Sequence, residues 1–85
     1  MSTTLITGAT AGIGRATAER FAAAGHRLIL TGRRAERLAK LEAELATDVL
    51  TLAFDVRERE TVKRVVSELP KDWQAIDLLV NNAGL

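Results

Sequence analysis

Apolar and polar positions along the chain fall into short blocks whose period switches between two and about 3.6 residues, the marks of strand and helix. Thr4-Leu5-Ile6-Thr7 is a brief β-prone run halted at Gly8. After Gly14, the stretch from Arg15 to Ala24 is rich in helix formers and closes on Gly25, a residue suited to the left-handed turn that ends a helix. Arg27-Leu28-Ile29-Leu30-Thr31 predicts a second strand, and Leu38, Leu41 and Leu45 follow at i, i+3 and i+7 with charges between them, predicting a second helix with one apolar face. Val49 to Phe54 predicts a third strand. Val62, Val65, Val66 and Leu69 form the stripe of a third helix, which Pro70 ends because it has no N–H to donate. Ile76-Asp77-Leu78-Leu79-Val80 predicts a fourth strand.

Strands alternating with helices call for a parallel sheet with right-handed crossovers and helices on both faces, the doubly wound α/β class. No linker, repeat or low-complexity segment interrupts the series, so residues 1–85 read as one domain or part of one.

The stretch Thr7-Gly8-Ala9-Thr10-Ala11-Gly12-Ile13-Gly14 joins the first strand to the first helix, where a doubly wound fold seats a phosphate on a helix N-terminus. Gly8 permits a sharp exit from the strand, Gly12 lets the backbone approach a pyrophosphate, and Gly14 lets the helix pack closely on the sheet. A tight turn that binds nothing could use the same glycines. The spacing is Gly-x-x-x-Gly-x-Gly, which does not match the common Gly-x-Gly-x-x-Gly dinucleotide fingerprint.

Thr-Gly-x-x-x-Gly-x-Gly at residues 7 to 14, Asp55-Val56 after the third strand and Asn81-Asn82-Ala83-Gly84 closing the fourth together resemble the short-chain dehydrogenases/reductases. The resemblance implies the N-terminal half of a Rossmann-like three-layer sheet, with strand order 3-2-1-4. It implies that Gly8, Ala9, Thr10, Ala11, Gly12, Ile13 and Gly14 border the pyrophosphate, that Asp55 and the backbone of Val56 contact the adenine, and that Asn82 lies by the adenosine ribose. Asp55 as a strand-end cap, and Asn81 or Asn82 as ties between neighbouring strands, remain alternatives. The resemblance spans the whole chain but only the opening part of a typical family member.

Thr-Gly-Ala-Thr-x-Gly at residues 7 to 12, Thr-Gly-Arg-Arg-x-Glu-Arg-Leu at 31 to 38 and the tail from Leu69 to Leu85 resemble more closely the branch that oxidises serine and related 3-hydroxy acids. The implied activity is hydride transfer between a nicotinamide and a small hydroxy acid or alcohol, in a protein that is a homo-oligomer at full length. The family's catalytic tyrosine, followed four residues later by a lysine, has no counterpart here, because the chain contains no tyrosine. No catalytic residue is assigned. The competing class is a non-catalytic NADP-binding sensor or interaction module, and a Tyr-x-x-x-Lys after Leu85 would separate the two.

Cofactor choice is read at the end of the second strand, where an NAD-binding protein places an acid against the ribose 2′-hydroxyl. Leu28 to Ala35 holds no acid: Gly32 stands at that place, with Arg33 and Arg34 just beyond it. Two guanidiniums suit a 2′-phosphate, giving paired charge-assisted hydrogen bonds, so the pattern points to NADP. The other reading is a solvated turn in which the arginines pair with Glu36.

Composition narrows the field further. Twelve basic and eleven acidic residues leave a formal net charge of +1, so no global field recruits nucleic acid or an anionic membrane. Without cysteine, and with His26 as the single histidine, a metal site is not expected. No apolar run approaches the ~18 residues that span a bilayer, and the start lacks a basic-then-apolar leader, so a cytoplasmic location is expected. His26 reads as a surface residue after a helix, Trp73 as a loop residue covering the core, and Lys63-Arg64 as part of a solvated face.

Overall fold

Leu28, Ile29 and Leu30 lie on the second strand, β2 (Arg27–Gly32), and all three are fully buried although successive side chains point to opposite faces. Such a strand must be covered on both sides, which is the situation of a parallel sheet between helical layers. The computed structural model describes residues 2–82 and bears this out. The chain runs β1 (Thr3–Thr7), α1 (Gly12–Ala23), β2, α2 (Ala35–Glu44), β3 (Val49–Ala53), α3 (Arg59–Ser67), a single 3-10 turn at Lys71–Trp73, and β4 (Leu78–Asn81). All pairings are parallel and the sheet order is β3-β2-β1-β4, as expected for the Rossmann-like class.

Alternation along the strands divides the core in two. Ile6, Leu28 and Leu30 face α1 and α2, where Ala18, Ala22, Leu38 and Leu41 meet them. Ala18 and Ala22, one helical turn apart and both small, let α1 lie close to the sheet. On the other face Leu5 and Ile29 pack with Leu69, and Leu50, Leu52, Trp73 and Ile76 surround them. Arg27 lays its guanidinium 3.9 Å from the centre of the Trp73 ring, so Trp73 does cover the core from a short turn.

The helix boundaries moved where tertiary contacts override local preference. α1 begins at Gly12, not at Arg15, with Ala11 as its extended N-cap residue. Its far end follows the expected pattern: Gly25 adopts φ 87°, its N–H bonds Ala22 O at 3.0 Å, and His26 N–H bonds Phe21 O at 3.0 Å, a closed left-handed cap. His26 is half-buried, not simply a surface residue. Its Nδ1 lies 3.1 Å from Thr4 Oγ1, its ring stands edge-on to Phe21, and its carbonyl accepts from Thr47 Oγ1.

The third apolar stripe is only partly core. α3 ends at Ser67, so Leu69 leaves the helix before inserting under the sheet; Val62 and Val65 are half-buried and Val66 stays exposed. α3 stands off from β1 and β3, leaving an apolar groove of about 440 Å³ beside Leu52, Leu69 and Leu79. β4 begins at Leu78, not at Ile76, after Asp77 accepts the Thr3 N–H at 2.8 Å through its carboxylate. On this edge strand Leu78 and Leu79 are exposed.

The corner between β1 and α1 has no slack. A Cβ built on Gly14 would stand 2.1 Å from the Gly8 carbonyl oxygen and 3.1 Å from the Ala9 Cα, whereas one on Gly12 meets no atom within 4 Å. Gly14→Ala in the full chain is therefore expected to cost at least about 2 kcal/mol, the scale of overpacked and strained sites. Gly12→Ala should stay within about 1 kcal/mol of the parent, since alanine is the better helix former. Urea denaturation of the two variants checks this, and indistinguishable midpoints would remove Gly14 as the constraint on the corner.

Candidate functional site

β1 ends into Gly8, whose φ of 60° turns the chain sharply out of the sheet. Thr10 and Ala11 then lead into α1, which starts without a side-chain cap and with no acidic residue in its first turn. An uncapped helix start leaves N–H donors free and carries a partial positive charge, and both favour an anion. Ile13, in that first turn, is 70% exposed.

This helix start forms one wall of a cleft of about 560 Å³ above the C-terminal ends of the strands. Order 3-2-1-4 reverses the direction of sheet growth between β1 and β4, which is where open α/β sheets place ligands. Gly8, Thr10, Ala11, Ile13 and Gly14 line the cleft from the β1–α1 side, and Gly32 and Arg33 from the end of β2. Phe54, Asp55, Val56 and Arg57 line it from the end of β3, and Asn82 from the end of β4.

Three of the expected site residues stand apart from these walls. Ala9 is fully buried and its N–H donates to Thr31 O at 3.1 Å, so it serves the corner and is closed to solvent. Gly12 is exposed on the first turn of α1, with open space where a side chain would be. Arg34 is the N-cap residue of α2 and is also exposed. Among the described residues neither Arg33 nor Arg34 forms an ion pair with Glu36, so the solvated pairing turn is not what the structure contains.

The asparagine pair divides its work. Thr7 Oγ1 donates to Asn81 Oδ1 at 2.8 Å and accepts the Asn82 N–H at 3.0 Å, so Asn81 ties β4 to β1. Asn82 lines the cleft, and its Nδ2 is buried with no hydrogen-bond partner. A buried donor left unpaired costs roughly 1 to 3 kcal/mol, so it is a natural anchor for a ligand oxygen. Ala83 and Gly84, which complete the motif, lie outside the described residues.

Arg57 was not foreseen. Its guanidinium holds Asp55 through Nε at 3.1 Å and Nη2 at 2.7 Å, and its backbone N–H bonds Asp55 Oδ1 at 2.9 Å. The hydrogen bonds from Arg57, helped by the charge of Arg33, hold the Asp55 carboxyl down to about 2. The sequence did carry a signal, since Asp-x-Arg allows the aspartate to accept the N–H two residues on. No grouping of His, Cys, Asp or Glu among the described residues could hold a metal, and no helix there is long and apolar enough to cross a membrane.

Because the folded-state value of Asp55 is depressed, its contribution to stability is present above the ordinary carboxylate range and is lost as the pH falls through about 2. Arg57→Gln should move the Asp55 midpoint upward, toward the ordinary range. A carboxyl-carbon NMR titration measures it, and an unchanged midpoint would mean that Arg57 does not set the charge of this carboxylate.

Residues 2–85 match the profile of the short chain dehydrogenase family. The chain is 50% identical over 84 residues to a probable NADP-dependent dehydrogenase of Haemophilus influenzae, covering 99% of this chain and 33% of that protein. It is 53% identical over 81 residues to the NADP-dependent 3-hydroxy acid dehydrogenase of Salmonella typhi, covering 95% and 33%. Among solved structures, the closed form of a serine dehydrogenase complexed with NADP+ superposes with a TM-score of 0.90 at 47% identity, covering 98% of this chain and 34% of that one. The chain spans about one third of the length of the curated relatives it matches.

Proposed function

The chain belongs to the short-chain dehydrogenase family, and on that premise we propose that residues 1–85 form the NADP-binding part of a single Rossmann domain in an oxidoreductase acting on a small hydroxy acid or alcohol. The observation that carries the reading is the cleft itself. It joins the uncapped start of α1, the exposed Arg33 and Asn82, whose Nδ2 is buried without a partner, around one concavity.

Each of these groups fits one part of a dinucleotide. The first turn of α1, with the backbone from Gly8 to Gly14, would hold the pyrophosphate, and open space at Gly12 is what allows it to approach. Arg33 and Arg34 would hold the 2′-phosphate, with no carboxylate at Gly32 to repel it. Asp55 and the Val56 backbone would face the adenine, and Asn82 the adenosine ribose. When bound, the nicotinamide supplies or accepts the hydride, and this chain's residues bind and orient the cofactor. The substrate class rests on the 3-hydroxy acid and serine dehydrogenases among the relatives and on the matching segments at residues 7 to 12 and 31 to 38.

Binding of NADPH and NADH to the full-length protein tests the cofactor assignment. Arg33→Ala with Arg34→Ala should reduce the preference for NADPH by at least about tenfold, since each charge-assisted contact is worth roughly 1.5 to 3 kcal/mol. Equal affinities in the parent protein would overturn it.

Gly12→Val tests the loop separately. Binding of NADPH should be lost while the circular dichroism spectrum stays that of the parent, because the added side chain enters ligand space and not protein space. Undiminished binding would reduce the loop to a turn.

A further inference from the structure

Asp55 is gripped more completely than its turn requires. The backbone N–H of Arg57 on Oδ1 is enough to close a turn of this kind, yet the Arg57 side chain adds Nε to both carboxylate oxygens, at 3.1 and 3.2 Å, and Nη2 to Oδ2 at 2.7 Å. The arginine side chain is 73% exposed while the carboxylate is 24% exposed, and both residues line the cleft. Exposed ion pairs add little stability and immobilise a long side chain, so stability alone is a weak reason for this arrangement.

Resting on the reading of the cleft as an NADP site with the base against Asp55, we propose that Arg57 is a positioning residue for base selection, fixing Asp55 as an oriented acceptor that admits a 6-amino purine and rejects a 6-oxo purine. A carboxylate offers about four lone-pair directions. Three N–H groups of Arg57 occupy the side of Asp55 turned toward residue 57, leaving acceptor capacity for a donor from elsewhere. The exocyclic amine of adenine donates. The 6-oxo group of hypoxanthine or guanine would set its own lone pairs against a negative charge.

The selection holds only if the carboxylate always faces the same way. Arg57 secures this by holding both oxygens through Nε and Nη2, and Arg33 adds positive charge from the end of β2. Without Arg57 the side chain of Asp55 keeps no arginine fork on its oxygens and is free to rotate, so its acceptor direction is no longer fixed.

The probes are 2′,5′-ADP and its hypoxanthine counterpart, titrated calorimetrically into the full chain as parent, Arg57→Gln and Arg57→Lys. The parent should prefer the adenine ligand by about tenfold or more, the worth of one charge-assisted hydrogen bond. In Arg57→Gln that ratio should collapse toward unity, chiefly through weaker adenine binding, and Arg57→Lys, with the charge but not the fork, should recover part of it. Equal weakening of both ligands with the ratio intact would mean a merely structural role and would overturn the proposal, as would tighter adenine binding in Arg57→Gln. A parent that binds both ligands equally removes base selection while leaving the phosphate contacts standing. A parent that binds neither overturns the NADP reading itself, and the proposal with it.

Discussion

The carbonyl oxygen of Gly8 and the backbone of Gly14 approach so closely that a single methyl group between them would sit 2.1 Å from that oxygen. Everything at the mouth of the cleft depends on this contact. It presses the first turn of α1 against the exit of β1, so the free N–H groups of an uncapped helix arrive directly above the sheet. Gly8 makes the turn with a positive φ, and Ala9, bonded to Thr31, pins the corner to β2. The glycine motif is thus two devices in one stretch. Gly8 and Gly14 shape the protein against itself, and Gly12 borders open space outside it.

The rigidity of this corner is lent by an uneven sandwich. The face under α1 and α2 is closed by interdigitating leucines and alanines around a β2 buried on both sides. The opposite face is thinner, with Leu69 as its one fully covered contribution from the α3 segment and an apolar groove left beside it. The well-packed half is the half that carries the helix start and the arginines. Cleft geometry is therefore set by the better-determined part of the core, as expected when binding groups are mounted on rigid elements.

Electrostatics in the cleft are local. A chain with a net charge of only +1 still gathers a helix N-terminus, Arg33 and Arg57 around one concavity, and answers them with the single carboxylate of Asp55. Opposite charges at short range do what a global field could not. Thr7 completes the arrangement from below, bonding Asn81 at the end of β4 and Asn82 just beyond it, so that the strand ends beside the cleft in register with β1.

The order of elements, the parallel sheet and the place of the glycine turn were legible in the sequence because periodicity and glycine spacing are local properties. So was the family, carried by residues 7 to 14 with Asp55, Val56 and the Asn81-Asn82 pair. Tertiary structure alone decided what depends on distances between remote segments. It drew Gly12 and Gly14 into α1 despite their poor helix propensity, and at Gly14 the close approach to Gly8 leaves no room for a side chain. It half-buried His26 between Thr4 and Phe21, and among the described residues it left Arg33 and Arg34 without an ion pair to Glu36. It left the Val62, Val65 and Val66 stripe largely uncovered, since a helical period shows which face is apolar but not what lies opposite it. The division of roles between Asn81 and Asn82 was likewise invisible in two identical letters. Only the position of the Thr7 hydroxyl, seventy-odd residues away along the chain, distinguishes the one whose side chain ties the strands from the one whose amide nitrogen is buried without a partner.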